Sequence, residues 1–167
     1  METRPLEAGD NRLAFSCGNE SIDIYLREQA LQDQERRFSV TYVAMDEGEI
    51  VGYATSCVTV VEPDSLKKAV AKALPVRKLP ALKLARIGVD VRFQGQSIGT
   101  RLLVNTMKLA AVQAKEVGGC VGLVVDAKPE RVSWYEQRGF MTLNDEAGPG
   151  GSVPMFLSIS EIESALV

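Results

Sequence analysis

Short apolar runs, several of them alternating with polar residues, divide this chain into predicted strands and helices. The predicted strands cover residues 4–7, 39–45, 50–61, 81–91, 120–125, 140–143 and 153–159. Apolar residues recur at helical spacing in other segments, which predicts helices over residues 22–36, 63–74, 98–117 and 130–138. The order strand, helix, strand in the middle implies a parallel pair, whereas the strands on either side of a short glycine turn pair antiparallel. We therefore expect a mixed sheet with helices on both faces.

Three local signals mark where these elements turn or end. The link Asp46–Glu49 contains a glycine between two β-branched runs, which predicts a hairpin. Asn19 or Ser21 is expected to cap the first helix, because both side chains can accept a hydrogen bond from a free backbone N–H. The pair Gly118-Gly119 is expected to end the long helix.

Composition narrows the class of protein. The chain has 167 residues, 46% of them apolar, which fits one domain spanning residues 1–167. Its N-terminal residues are polar and no apolar run approaches the roughly 18 residues of a membrane span, so we expect a cytoplasmic protein without membrane contact. Because the chain has no histidine, catalysis by Ser-His-Asp or Cys-His and histidine metal sites are excluded, and we expect no metal. Cys17, Cys57 and Cys120 lack the spacing of a metal or redox motif.

The distribution of charge gives a weaker signal. The net charge of −3 provides no general attraction to nucleic acid. A basic cluster between residues 67 and 83 is the exception, and it contains Lys67, Lys68, Lys72, Arg77, Lys78 and Lys83. Such a cluster is either a phosphate-binding surface or an ordinary solvated helix face.

The segment 84–103 carries the most chemical information. An apolar strand leads through a glycine-containing turn into a helix, and the first N–H groups of a helix attract anions. A phosphate-binding turn and a plain tight turn are both consistent with this pattern taken alone.

Three segments together resemble the GCN5-related N-acetyltransferase (GNAT) family. They are GVDVRFQGQSIGTRLL (88–103), CVGLVVDA (120–127) and SWYEQRGF (133–140), and they follow the family's order and separation. The resemblance implies an α+β fold with a mostly antiparallel sheet of six to seven strands and a central, splayed parallel pair. It also implies an enzyme that transfers an acetyl group from acetyl-CoA to a primary amine by direct attack in a ternary complex.

The resemblance assigns two groups of residues to the acetyl-CoA site. Main-chain N–H groups in the turn would bind the diphosphate, and this turn comprises Gln94, Gly95, Gln96, Ser97, Ile98, Gly99 and Thr100. The strand residues Ile87, Gly88 and Val89 would bind the pantetheine arm through their main chain, with Gly88 allowing close approach of the thioester. Ser97 stands where the family usually has glycine, so its hydroxyl either caps the helix or contacts phosphate, and its Cβ would crowd the ligand.

Tyr135 matches the family tyrosine that protonates the leaving thiolate, and a phenol with a pKa near 10 suits that step. The alternative for Tyr135 is plain packing beside Trp134. The acceptor amine must also lose a proton, for which Asp90, Asp126 or a water chain are candidates. Asp90 is alternatively a solvated strand end or an ion-pair partner of Arg92.

The N-terminal run FSCGNESIDIYLREQALQDQERR (15–37) resembles a branch of the family that includes toxins of toxin–antitoxin pairs. These toxins acetylate the amino acid of charged tRNA, so this interpretation adds tRNA and an antitoxin as partners. The first interpretation has a small-molecule or peptide amine as acceptor, and a third is an acyl-CoA-binding module without turnover. Members of the family are often dimers, so a homodimer is also expected.

Overall fold

Seven strands form one sheet in the computed structural model, which describes residues 1–62, 78–143 and 147–167. The strands are β1 (Glu2–Pro5), β2 (Val40–Asp46), β3 (Glu49–Val61), β4 (Leu79–Val89), β5 (Gly122–Ala127), β6 (Met141–Thr142) and β7 (Val153–Ser158). Their order is β1-β2-β3-β4-β5-β7-β6. β4 and β5 are the parallel pair, and the sheet is mostly antiparallel, as expected.

Five α-helices accompany the strands in the described residues. They are α1 (Glu20–Glu28), α2 (Ala30–Glu35), α3 (Ile98–Val112), α4 (Val132–Glu136) and α5 (Ile159–Leu166). A π-helical turn, Gln113–Val117, extends α3, and 3-10 turns cover Val91–Phe93, Pro129–Arg131 and Pro149–Gly151. The helix predicted over residues 63–74 lies outside the described residues. No helix in the described part of the chain combines the length and apolar character that a bilayer span requires.

The chain divides into two compact units. Unit 1 comprises Met1–Cys57 and Leu84–Thr106, and unit 2 comprises Val58–Lys83 and Met107–Val167. The single domain expected over the whole chain stays a prediction.

Unit 1 has helices on both faces of its strands. The Tyr53 hydroxyl of β3 donates to the Ile22 carbonyl of α1 at 2.6 Å, so this side chain points to the α1 face. Gly52 faces the other way, because a Cβ atom there would lie 2.9 Å from Cγ2 of Ile98 and 3.0 Å from Cδ1 of Leu102, both in α3. The α3 helix therefore packs closely on β3 only because residue 52 is glycine.

The first predicted helix is divided in two. Asn19 caps α1 by accepting hydrogen bonds from the N–H groups of Ser21 and Ile22. The helix then breaks at Gln29, where φ is −124° and ψ is −34°, although neither glycine nor proline marks the position. The apolar stripe continues across the break, since Leu26 and Ala30 are both fully buried.

Turn signals predicted from the sequence are confirmed at two places. Glu47 and Gly48 both adopt positive φ, 50° and 80°, as a tight two-residue hairpin requires. Gly118, with φ of 84°, follows the extension of α3, and its N–H donates to the Gln113 carbonyl.

Unit 2 departs from the prediction at both of its long strands. β5 begins at Gly122 rather than Cys120. Glycine is required at residue 122, because a Cβ atom there would collide with the Leu157 carbonyl and the Phe156 ring of β7. The last strand ends at Ser158, one residue earlier than expected, and α5 follows it. The Ser158 hydroxyl caps that helix by accepting from the Glu161 N–H.

Candidate active site

A strand, a turn and a helix N-terminus follow one another in unit 1. After β4, Asp90 begins the 3-10 turn Val91–Phe93, and the chain then reaches α3 through Gly95 and Ser97. Gly95 and Ser97 both have left-handed backbones, with φ of 80° and 62°. The serine thus adopts the conformation that glycine favours at this family position, at a cost of about 1–2 kcal/mol for an L-residue.

The turn presents main-chain donors that no described residue uses. The N–H groups of Ser97, Ile98 and Gly99 have no hydrogen-bond acceptor within the described chain. The Arg101 N–H donates to the Ser97 carbonyl at 3.0 Å, which is the first hydrogen bond of α3. Consecutive free amides at a helix N-terminus fit a phosphate group, so this turn fits the diphosphate of acetyl-CoA.

The Ser97 hydroxyl does not cap α3. It makes no hydrogen bond with any described residue, whereas a capping serine accepts from an N–H in the first helical turn. The expected role of Ser97 as a helix cap is therefore wrong. The other expected role, contact with a ligand phosphate, stays a prediction.

Gln94 has a structural role. Its side-chain amide donates to the carbonyls of Cys17 at 3.2 Å and Val89 at 3.1 Å. These two bonds tie the turn to the end of β4 and to the segment before α1. Any contact of Gln94 with a diphosphate would therefore come from its main chain.

Asp90 is neither solvated nor available as a base. The residue is 1% exposed, and its carboxylate accepts from the Ser16 N–H at 3.2 Å and from Nε of Arg92 at 3.0 Å. Burial alone would raise the pKa of Asp90, but the hydrogen bonds from Arg92 and Ser16 outweigh it and hold that pKa below its ordinary value. The ion pair expected as an alternative is confirmed, and the solvated strand end is wrong.

Gly88 is required by packing on the α1 face. A Cβ atom there would lie 2.8 Å from Cγ2 of Ile22 and 3.3 Å from Sγ of Cys17. The space beside this glycine is thus filled by protein, so approach of a thioester is left to the main chain. Ile87 and Val89 are half-buried, so neither is a core residue.

Gly52 is a residue that the sequence analysis did not single out. It sets the distance between β3 and α3 and also approaches the Gly88 carbonyl, which a Cβ atom at Gly52 would meet at 3.2 Å. A glycine inside a β-branched run is a signal of such close approach, and it could have been found from the sequence.

Tyr135 lies on α4 in unit 2. Its ring packs edge-on against Trp134 at 4.9 Å and Phe140 at 5.3 Å, and the residue is 5% exposed. Burial raises the pKa of the Tyr135 phenol to about 12, against the opposing effect of the Arg131 and Arg138 charges. The phenol is therefore protonated throughout the physiological range and can act only as a proton donor or a packing group.

Side chains around these elements are largely committed to protein contacts. Asp126 accepts an ion pair from Lys83 at 2.8 Å, so the second candidate base is also occupied. Lys78, another member of the basic cluster, lies 3.9 Å from Glu62. The remaining members, Lys67, Lys68, Lys72 and Arg77, lie outside the described residues.

Burial disfavours the thiolate of two of the three cysteines. Burial raises the pKa of Cys17 to about 11 and that of Cys120 above its ordinary value. Cys57 is half-buried in β3. Among the residues in ranges 1–62, 78–143 and 147–167, no three Cys, Asp or Glu side chains are grouped to hold a metal ion.

Comparison with known families decides the class of protein. The acetyltransferase (GNAT) domain family matches residues 37–142, a range that contains β2 to β6 and the whole turn before α3. The chain belongs to the GNAT family. It is an acetyl-CoA-dependent N-acetyltransferase, as the sequence predicts.

Two curated relatives are named as a toxin and a probable toxin. The chain is 30% identical over 116 residues to a protein named tRNA-acetylating toxin from Mycobacterium tuberculosis, covering 69% of each sequence. It is 26% identical over 167 residues to the probable toxin TacT of Sinorhizobium fredii, covering 93% of this chain and 89% of the relative.

Solved structures share the GNAT fold. AtaT complexed with acetyl-methionyl-tRNAfMet superposes with a TM-score of 0.87 over 99% of both chains at 24% identity. A structure described as a bacterial toxin reaches a TM-score of 0.92 at 22% identity, covering 99% of this chain and 94% of that one. A tyrosine-to-phenylalanine mutant of KacT has a TM-score of 0.87 at 25% identity over 98% of both chains.

Proposed function

We propose that this enzyme transfers the acetyl group of acetyl-CoA to the free α-amine of aminoacyl-tRNA and thereby acts as a toxin. The observation that carries the proposal is the 30% identity to the tRNA-acetylating toxin over 69% of both chains. An acetylated α-amine can no longer attack in peptide-bond formation, so the product is a dead end for translation. This acceptor replaces the small-molecule or peptide amine as the first interpretation.

The fate of the candidate bases supports an acceptor of low basicity. Asp90 is held by Arg92 and Ser16, and Asp126 by Lys83, so neither is free to take a proton from the amine. An α-amino group has a pKa of about 7.7–8.0, against about 10.4 for lysine. A large share of α-amines is therefore already neutral near pH 7.5, and release of the remaining proton to water is sufficient after attack.

The chain's own residues divide the work between donor and acceptor. Acetyl-CoA supplies an activated acetyl thioester. The free N–H groups of Ser97 to Gly99 would bind its diphosphate. The main-chain N–H of Val89 would polarise the thioester carbonyl. The Tyr135 phenol, kept protonated by burial, donates its proton to the departing sulfur.

A neutralising protein partner is part of the same proposal. The solved structures include AtaT bound to the C-terminus of the antitoxin AtaR, at 21% identity to this chain. We expect a comparable antitoxin for this enzyme, and we expect both to act in the cytoplasm, where charged tRNA is. A homodimer stays a prediction.

The proposal is tested by incubating the purified enzyme with acetyl-CoA and four acceptor classes: aminoacyl-tRNA, free amino acids, a lysine peptide and polyamines. Free thiol reports turnover, and mass spectrometry of the amino acid released from tRNA reports the product. We expect thiol release with aminoacyl-tRNA and an N-acetylated amino acid. Turnover confined to polyamines, lysine peptide or free amino acids would restore the small-molecule or peptide interpretation.

Expression in a bacterial host gives an independent readout. Wild-type enzyme should arrest growth, and Tyr135→Phe should relieve the arrest at equal protein level. Binding of acetyl-CoA without thiol release from any acceptor would support the third interpretation, a module without turnover.

A further inference from the structure

Arg86 is a half-buried cation that the proposed chemistry does not use. It lies on β4, two residues before Gly88, and its guanidinium carbon is 3.9 Å from the centre of the Tyr25 ring. Apart from this stacking contact, Arg86 makes no hydrogen bond and no ion pair with any described residue. Its five N–H donors are therefore directed to solvent or to a ligand.

The other half-buried arginines of the described chain all donate hydrogen bonds or pair with a carboxylate. Arg4 binds Asp10 through two bonds of 2.7 and 3.0 Å, and Arg27 lies 3.7 Å from Glu28. Arg12 donates to the Arg27 carbonyl, and Arg138 to the Trp134 carbonyl. Arg86 is the exception among them, in a chain whose acidic residues outnumber its basic ones by 22 to 19.

The acidic groups that lie beside Tyr25 and at the start of α1 accept hydrogen bonds from other donors. The Asp33 carboxylate accepts a hydrogen bond from the Tyr25 hydroxyl at 2.9 Å. The Ser39 hydroxyl lies 3.2 Å from the hydroxyl oxygen of Tyr25. The Asp23 carboxylate accepts from the Cys17 N–H at 2.9 Å. Tyr25 is thus held at its hydroxyl, and its ring is a fixed platform under the guanidinium.

The face of the sheet distinguishes Arg86 from the diphosphate site. Residues 86 and 88 of a strand point to the same side, and the Gly88 side is filled by Ile22 and Cys17 beside α1. Tyr25 also belongs to α1. The free amides precede α3, which packs on the opposite face, against Gly52.

We propose that the Arg86 guanidinium, stacked on Tyr25 and left without a carboxylate, binds a phosphodiester group of the acceptor RNA. The inference rests on the proposed function and names the group through which the acceptor is recognised. A planar guanidinium matches phosphate through two parallel hydrogen bonds, and stacking on an aromatic ring pre-orders it for that contact. Its position on the α1 face, away from α3, assigns it to the acceptor and not to acetyl-CoA.

The test compares Arg86→Met, which keeps an unbranched stem over Tyr25, with Arg86→Lys, which keeps the charge but not the planar fork. Lys115→Met is the matched control, because it removes one exposed positive charge beyond the end of α3. Each variant is assayed with aminoacyl-tRNA, with a hydrolysis-resistant aminoacyl-adenosine amide that has no phosphate, and over a range of acetyl-CoA concentrations. Melting temperatures are recorded for all of them.

For Arg86→Met we expect the KM for aminoacyl-tRNA to rise about 10-fold, the loss typical of one charge-assisted hydrogen-bonding group. The slope of log(1/KM) against log salt should become shallower by about 1, as for the loss of one phosphate contact. KM for acetyl-CoA and for the phosphate-free acceptor should not change. Arg86→Lys should fall between Arg86→Met and wild type, and Lys115→Met should behave as wild type.

Five outcomes would overturn the inference. An equal loss with the phosphate-free acceptor, or a fall in melting temperature with all kinetic constants affected, would make Arg86 a structural residue. A rise in the KM for acetyl-CoA alone would show that Arg86 contacts a phosphate of acetyl-CoA and not of the RNA. An unchanged KM for aminoacyl-tRNA in Arg86→Met would contradict the contact between Arg86 and an RNA phosphate, and it would leave the proposed function unaffected. A wild-type enzyme that does not acetylate aminoacyl-tRNA would overturn both.

Discussion

Asp90 in unit 1 and Tyr135 in unit 2 are two acids of similar burial and opposite fate. They are 1% and 5% exposed. Asp90 receives hydrogen bonds from Ser16 and Arg92, so its charged form is stabilised and its pKa is lowered. The Tyr135 ring packs against Trp134 and Phe140, and burial raises the pKa of its phenol to about 12, against the opposing effect of the Arg131 and Arg138 charges.

The hydrogen-bond donors around a buried acid decide whether its proton is available for chemistry. A buried acid surrounded by donors becomes a structural anion, whereas one surrounded by apolar groups keeps its proton and can give it away. Asp90 therefore stabilises the fold, and Tyr135 is the proposed proton donor. Substitutions at the two residues test that division.

The largest effect is expected from Tyr135→Phe. The variant keeps the packing of the ring but loses the proton donor, so kcat should fall by about 10²–10⁴-fold. The dissociation constant for acetyl-CoA, measured by calorimetry, and the melting temperature should stay as in wild type. A collapse of acetyl-CoA affinity with unchanged kcat would instead make Tyr135 a packing residue.

Gly99→Val is expected to weaken acetyl-CoA binding severely while the protein stays folded. A β-branched side chain in the first turn of α3 would block approach to the free amides of Ser97 to Gly99. Calorimetry should show the loss of binding, and circular dichroism should show an unchanged fold. Wild-type affinity in a folded Gly99→Val variant would contradict the anion site.

Asp90→Asn should affect stability and leave chemistry alone. Replacement of the carboxylate weakens the bonds from Ser16 and Arg92, so the free energy of unfolding should fall by about 2 kcal/mol. Urea denaturation measures this change, and kcat per folded enzyme should stay within about twofold of wild type. A loss of kcat comparable to that of Tyr135→Phe would return Asp90 to the role of base.

The same carboxylate predicts a pH dependence of stability. Because the pKa of Asp90 is lower in the folded than in the unfolded state, its stabilisation is complete above an unfolded pKa of about 3.9. It is lost as the pH falls through the lowered folded value. Wild type should therefore lose more stability than Asp90→Asn on acidification below about pH 4, and parallel losses would contradict the assignment.

The smallest effect is expected from Ser97→Gly. Glycine relieves the strain of the left-handed backbone at residue 97, but it also raises the conformational entropy of the unfolded chain. Because these effects oppose each other, the free energy of unfolding should change by less than about 1 kcal/mol. Acetyl-CoA affinity measured by calorimetry should be equal or higher, because a crowding Cβ is removed. Ser97→Ala keeps that Cβ and serves as the control, and a tighter complex with alanine than with glycine would contradict the steric argument.

Local signals made much of the fold predictable. The hairpin at Glu47-Gly48 and the end of α3 at Gly118 follow from residues within the turns themselves. The capping box of Ser158 and Glu161 was equally local, but the apolar run before it extended the predicted strand and concealed α5. The break at Gln29 has no marker in the sequence.

The environment of the candidate site residues was predictable only where it depends on neighbours along the chain or on a GNAT motif. The left-handed turn at Gly95 and Ser97 belongs to a motif, and so does Tyr135. The hydrogen bonding of Asp90 could not be predicted from the sequence, because its partner Ser16 is 74 positions away along the chain. Glycine is required at residue 88 because Ile22, which is far away along the chain, packs against it.

The most direct test of the division between Asp90 and Tyr135 is the pH profile of kcat/KM for acetylation of a hydrolysis-resistant aminoacyl-tRNA between pH 5.5 and 10. With no carboxylate base and with a Tyr135 pKa of about 12, the profile should rise with one inflection near the α-amine pKa of about 8 and then stay level. An inflection near pH 6 that disappears in Asp90→Asn, or a fall between pH 8 and 10 that disappears in Tyr135→Phe, would contradict the account.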